Sequence, residues 1–171
     1  SLILILYKYD FSKVAGDPLG DLYQKYFDKD TRKALGEFYT PVEVVKYILD
    51  AVDYRNVRYK RLLDPACGSG TFLVEALRRY IEEAKPRAKQ EGWAAVLREL
   101  CNSPRIVGLD IHPFACLIAQ VRFMLELMPY YKEALEEEKA MVYTLQRLPI
   151  FRTDSLVIEM KPGEFTKKPS L

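Results

Sequence analysis

The stretch Leu62-Leu63-Asp64-Pro65-Ala66-Cys67-Gly68-Ser69-Gly70-Thr71-Phe72-Leu73 constrains this chain more than any other. A short apolar run ends in an acid, and a turn with two glycines follows. An apolar-periodic helix then opens at Thr71 and continues through Leu73, Val74, Ala76 and Leu77. Strand, glycine turn and helix in that order make the unit that begins nucleotide-binding α/β folds. The glycines permit backbone conformations with positive φ and let a ligand approach the main chain closely. The helix start offers N–H groups that have no intrahelical partner. The acid at the strand end can hydrogen-bond a cationic or hydroxyl-bearing group.

Two further strands follow. Arg105-Ile106-Val107-Gly108-Leu109-Asp110 is apolar and again ends in an acid. In dinucleotide folds such an acid accepts hydrogen bonds from ribose hydroxyls, and it stands about 20 residues after the glycine turn. Gly70 to Asp110 is longer, and an inserted packing helix over about 87–101, with Trp93, Val96, Leu97 and Leu100 on one face, accounts for the difference. The competing reading of Asp110 is a helix N-terminal acid favoured by the macrodipole. Leu148 to Phe151 reads as a short third strand, followed by Arg152-Thr153-Asp154-Ser155. Three β-units in a row predict a doubly wound parallel sheet.

The helices are read from periodicity and punctuation. Residues 1–18 are ambiguous, and a packing helix is expected over about 18–34, ended by Gly36. Thr40, Pro41 and Glu43 form a capping-box pattern, with Thr40 as N-cap and Pro41 at the first helical position. The helix they open runs through Val44, Val45, Tyr47, Ile48, Leu49 and Val52. Arg55, Arg58 and Lys60 read as a solvated basic connection. The Thr71 helix is expected to stop near Ala84, where Lys85-Pro86 interrupts it. Another helix is expected from Pro113 to about Met128, stopped by Pro129. A charged helical segment from Tyr130 to Met141 then carries Glu136, Glu137 and Glu138 on a solvated face. His112, the single histidine, lacks the partners that a metal site or general base needs.

Composition bounds the rest. The 171 residues suffice for one domain with a core, and 49% hydrophobic with 29% charged content is ordinary for a globular protein. No apolar run approaches the twenty residues of a membrane span. Three cysteines at irregular spacing argue against a disulfide framework or a zinc site, and a reducing cytoplasm is the simple expectation. A net charge of +2 neither demands nor excludes nucleic acid.

The string Asp64-Pro65-Ala66-Cys67-Gly68-Ser69-Gly70 resembles motif I of the adenine-specific DNA amino-methyltransferases. Gly36-Glu37-Phe38-Tyr39-Thr40-Pro41 resembles their motif X, Ile106 to Gln120 their motif II, and Asp154-Ser155 after a strand their motif III. The resemblance covers about 19–156 in the order X, I, II, III. That is the gamma arrangement of type I modification subunits and many fused type II enzymes. It implies a Rossmann-like methyltransferase fold of the α/β class, with a partial parallel sheet, and S-adenosylmethionine as cofactor. Phe38 and Tyr39 would then line the methionine pocket, with Thr40 hydrogen-bonded to the cofactor. Asp64, Ala66, Gly68, Ser69 and Gly70 would form the turn. Asp110 would hold the ribose, Ile111 would pack on the adenine, and Asp154 with Ser155 would meet the adenine amino group. The layout is a helical lead-in over 1–35, a cofactor-binding core over 36–160 and a terminal loop over 161–171.

The family's catalytic Asn-Pro-Pro followed by Tyr or Phe is absent, as is any Pro-Pro. The resemblance therefore implies only the cofactor half of an enzyme that flips an adenine out of DNA and orients its amino nitrogen through that missing motif. An excised N-terminal fragment is the expectation, with a natural split subunit as the alternative; it would be inactive alone, with DNA, specificity or restriction subunits and fused domains reached through other parts. In this class the first strand is central, and lacking the fourth strand it would leave an open edge that invites self-association. The competing readings are an RNA base methyltransferase and a non-catalytic module that kept the fold. A dinucleotide dehydrogenase is weaker, because Leu73 replaces the third glycine, and a phosphate-loop NTPase is excluded because no Gly-Lys-Ser/Thr occurs.

Overall fold

The computed structural model describes residues 40–102, 105–137 and 148–155. The expected lead-in helix, the terminal loop, Phe38 and Tyr39 lie outside these residues. Three parallel strands stand in the order β1 (Leu62–Asp64), β2 (Ile106–Asp110), β3 (Ile150–Arg152). This is the partial parallel sheet that was expected, and β1 is an outer strand among the described residues. The register sets Leu62 beside Ile106, and Gly108 between Asp64 and Ile150. Strand alternation then sorts the faces. Ile106 and Ile150 are buried with Leu62 packed against the same core, while Leu63 on the opposite face is 60% exposed.

Helices α1 (Val42–Ala51), α2 (Thr71–Glu91), α3 (Trp93–Asn102) and α4 (Pro113–Glu137) complete the described chain, with a short 3-10 turn at Val57–Tyr59. The apolar stripe of α2 buries Leu73, Leu77, Tyr80, Ile81, Ala84 and Ala88. That of α4 buries Ala115, Ala119, Phe123 and Leu127. Small residues on α4 let it approach closely. A Cβ at Gly108 would meet Leu73 Cδ1 at 2.4 Å and Cys67 Sγ at 3.1 Å, so the glycine in β2 is what lets α2 and the turn lie against the strand.

The start of α1 differs from expectation. Pro41 is extended (φ −56°, ψ 144°) and is itself the N-cap, with no side-chain cap bond, so the capping box of Thr40 and Glu43 does not form. The Pro41 carbonyl instead accepts from the N–H groups of both Val44 (3.0 Å) and Val45 (3.1 Å). Val45 and Leu49 face the core, whereas Tyr47 and Val52 are exposed. Arg79 of α2 ties the end of α1 down, donating to Asp50 Oδ1 at 2.9 Å and to the carbonyls of Lys46 and Tyr54.

Neither predicted proline stop operates. Helix α2 runs through Pro86 and ends at Gly92, whose φ of 84° closes it with a bond from its N–H to the Ala88 carbonyl. Pro86 points to solvent, while Ala84 and Ala88 on either side are buried and Arg87 is paired with Glu99. Tertiary packing thus overrides a cost of about 3 kcal/mol for an interior proline. Pro86→Ala is expected to raise stability by about 1–2 kcal/mol, the gain being trimmed by the freer unfolded chain. Urea unfolding checks this.

Helix α4 likewise passes Pro129, held by the Trp93–Tyr130 ring contact at 4.4 Å and by buried Ala134. At its end Glu137, expected on a solvated face, accepts from the N–H groups of Trp93 and Ala94, both at 3.2 Å, and so caps α3. The basic connection is not merely solvated either. Arg58 reaches Glu99 at 3.2 Å, and Arg87 converges on the same carboxylate. Partial burial alone would raise the Glu99 pKa, but these guanidiniums bring it below the usual range.

Candidate functional site

The glycine turn sits where the C-terminal ends of β1 and β2 meet the start of α2. Gly68 (φ 52°) and Gly70 (φ 85°) both occupy the left-handed region, which costs a side-chain-bearing residue roughly 1–2 kcal/mol. The two glycines look in different directions. A Cβ on Gly70 would fall 2.9 Å from Ala119 Cβ, so this side of the turn is pressed on α4. A Cβ on Gly68 would meet nothing within 4 Å, so this side is open. Gly70 is the N-cap of α2 and supplies no side-chain cap, leaving the first N–H groups of the helix for an outside acceptor.

Two acids flank the open side. Asp110 accepts from Gly68 N–H through Oδ2 and from His112 N–H through Oδ1, both at 2.8 Å. It therefore joins the turn after β1 to the turn after β2. Asp64 accepts from Ala66 N–H at 3.2 Å. Burial raises the Asp64 pKa above the ordinary range; the Ala66 bond opposes this, and the neighbouring Asp110 charge adds to it. The site thus concentrates negative charge at the strand ends, beside a helix terminus of positive potential. The Cys67 thiol is buried, and burial together with Asp64 and Asp110 drives its pKa far upward, so it stays protonated and is no nucleophile.

Asp64, Ala66, Gly68, Ser69, Gly70 and Asp110 are thus one connected cluster. Ile111 follows Asp110 and is 63% exposed. The N–H of Thr153 donates to the Asp110 carbonyl at 2.9 Å, which sets Asp154 and Ser155 just beyond the same sheet edge, half-buried and exposed respectively. Thr40 is half-buried, and no hydrogen bond among the described residues links it to the turn.

Ser69 is placed differently from a ligand-facing side chain. It is buried, and its hydroxyl and carbonyl oxygens both accept from Arg122 of α4, at 3.0 and 2.6 Å. Arg122 was not singled out by sequence reasoning. Its signal was its place on the inward stripe of α4, three residues after Ala119 and one before Phe123, where an apolar residue is expected. His112 also has a place within the fold. Its Nδ1 accepts from the Ala115 N–H at 3.4 Å, a weak cap on the first turn of α4.

Comparison with known proteins gives the family and the fold. The chain is 42% identical over 85 residues to the type I restriction enzyme MjaVII methylase subunit of Methanocaldococcus jannaschii, covering 48% of this chain and 14% of that protein. It is 35% identical over 115 residues to the adenine-specific methyltransferase PglX of Streptomyces coelicolor, covering 64% of this chain and 9% of that one. The chain therefore spans a small part of the length of these relatives. Its fold matches that of the Type IIL restriction-modification enzyme MmeI, solved in complex with DNA, with a TM-score of 0.51 at 22% identity over 86% of this chain and 24% of that one. This bears out the Rossmann-like α/β expectation. The family model described as N-6 DNA Methylase matches residues 14–142, a span that holds the glycine turn, both acids and Arg122, and the chain belongs to that family.

Proposed function

We propose that this chain is the cofactor-binding part of a DNA adenine-N6 methyltransferase of a restriction-modification system, using S-adenosylmethionine. The observation that carries this reading is the union of the glycine turn with both strand-end acids, beside an uncapped helix start. The donor set suits the ligand. The amino-acid end of S-adenosylmethionine is zwitterionic, and its sulfonium adds a further positive charge. Asp64 and Asp110 offer carboxylates at one side, and the start of α2 offers N–H groups at the other. When bound, the cofactor supplies an electrophilic methyl group whose transfer leaves a neutral thioether.

The chain's own residues have separable tasks in this reading. Asp64 takes the ammonium group, and relief of its unfavourable burial favours binding. Each Asp110 oxygen uses one lone pair within the fold and keeps another for a ribose hydroxyl. Ile111 presents an apolar surface to the adenine, with Asp154 and Ser155 at its amino edge. Gly68 leaves room over the main chain, Ala66 and Gly70 shape the turn, and Ser69 contributes its backbone. We assign Phe38, Tyr39 and Thr40 to the methionine end of the cofactor. No residue of this chain is assigned the target base. DNA as substrate, and specificity or restriction subunits as partners of the whole protein, are supported by the names of the relatives.

Calorimetric titration of S-adenosylmethionine tests the reading. Saturable binding is expected, weakened at least tenfold by Asp110→Ala, because that change removes both a ribose acceptor and the tie to Gly68 (about 1.5–3 kcal/mol for hydrogen bonds to a charged group). A folded wild-type sample that takes up no cofactor overturns it.

A further inference from the structure

We infer that Arg122 is a positioning residue that holds the glycine turn in its ligand-accepting shape from behind. The inference rests on the reading of that turn as the cofactor site. Arg122 is 6% exposed, although arginine is among the residues least often buried. Its Nη1 donates to Ser69 O at 2.6 Å, and lies 3.0 Å from Ser69 Oγ and 3.4 Å from Thr71 Oγ1. One guanidinium nitrogen therefore spans the last residues of the turn and the first residue of α2.

The turn needs such a hold. With two residues at positive φ, it gains little from regular structure, and a glycine-flanked peptide can rotate at small steric cost. Asp110 fixes the Gly68 N–H on one side. Arg122 fixes the Ser69 carbonyl on the other, pointing it inward. A rotated Ser69–Gly70 peptide would turn that carbonyl oxygen towards the ligand side, where it repels an acceptor group. Both clamps come from the β2–α4 unit, and Ala119 of the same helix touches Gly70. The unit that binds the ribose through Asp110 thus also sets the shape of the turn.

Two variants of the chain test this, Arg122→Lys and Arg122→Met. The readouts are amide hydrogen exchange at residues 68–72 without ligand, and the affinity for S-adenosylmethionine well below the melting temperature. In Arg122→Met, exchange at 68–72 is expected to rise at least tenfold above any change in the core of α2, and cofactor affinity to fall at least tenfold. Arg122→Lys keeps the charge but reaches fewer acceptors, and is expected to fall between the two. A merely structural role would raise exchange throughout α2 and α4 alike and show no graded rescue by lysine. Local exchange and affinity both unchanged in a folded Arg122→Lys overturns the inference, and this variant decides the matter if Arg122→Met does not fold. If wild-type protein binds no cofactor, the functional reading falls, and local exchange alone decides whether Arg122 is the clamp.

Discussion

Gly70→Val is expected to cost about 3–5 kcal/mol of stability and to remove cofactor binding altogether. Two penalties combine. The residue sits at φ 85°, where a β-branched side chain is a genuine outlier. Its Cβ would also stand 2.9 Å from Ala119 Cβ and 3.2 Å from Ala119 Cα. The second of these atoms is backbone, so relief requires a shift of α4, and overpacking of this kind costs typically 1–3 kcal/mol by itself. A shifted α4 carries Arg122 with it, so the turn loses its clamp as well as its packing. Gly68→Ala is the informative companion. Its φ of 52° falls in the small left-handed region, and its Cβ meets no atom, so the stability loss should be about 1 kcal/mol. The methyl group nevertheless enters the open side of the turn, and S-adenosylmethionine affinity should drop at least tenfold. Denaturant unfolding and calorimetry on both variants check the pair. Wild-type affinity in Gly68→Ala would mean that the ligand does not lie over the turn.

The contrast between the two glycines shows what was legible in the sequence and what was not. Asp64, Gly68, Gly70 and Asp110 could be read because their chemistry is tied to local order: strand, acid, turn, helix. The parallel pairing of three strands followed from the same repetition. The direction each glycine faces could not be read, because it depends on Ala119, nearly fifty positions away. Arg122 and Ser69 are separated by 53 residues, and only the misfit of a charged residue on an apolar stripe pointed inward. Pro86 and Pro129 failed as stop signals for the opposite reason. The local rule is sound, but Ala84 and Ala88 are buried on either side of Pro86, and Leu127 and Tyr130 are packed on either side of Pro129, and that burial outweighs the broken backbone bonds. At Thr40 the capping pattern was displaced by one residue, since extended Pro41 already serves as the N-cap.

Asp64→Asn is expected to move stability and binding in opposite directions. Without ligand, burial and the Asp110 charge raise the Asp64 pKa in the folded protein. The folded state therefore binds this proton more tightly than the unfolded state does. Stability contributed by the protonated form is fully present below the unfolded pKa, and is lost as pH rises through the folded one. At neutral pH the ionised carboxylate is a net liability to the free protein. Asparagine keeps an oxygen for the Ala66 N–H and carries no charge, so Asp64→Asn should stabilise the free protein by up to about 1 kcal/mol, after allowance for solvent screening. The gain should vanish at acid pH, where the wild-type carboxyl is neutral as well. Binding should respond the other way. An ammonium loses its charged partner, worth about 1.5–3 kcal/mol, and affinity for S-adenosylmethionine should fall roughly 10–100-fold. Wild-type affinity should also weaken as pH drops through the raised Asp64 pKa, while the variant's profile stays flat over that range. Thermal melts with and without ligand across pH 4–8 give both quantities from one series. A variant that is less stable without ligand, or one that binds as tightly as wild type, would remove Asp64 from the site.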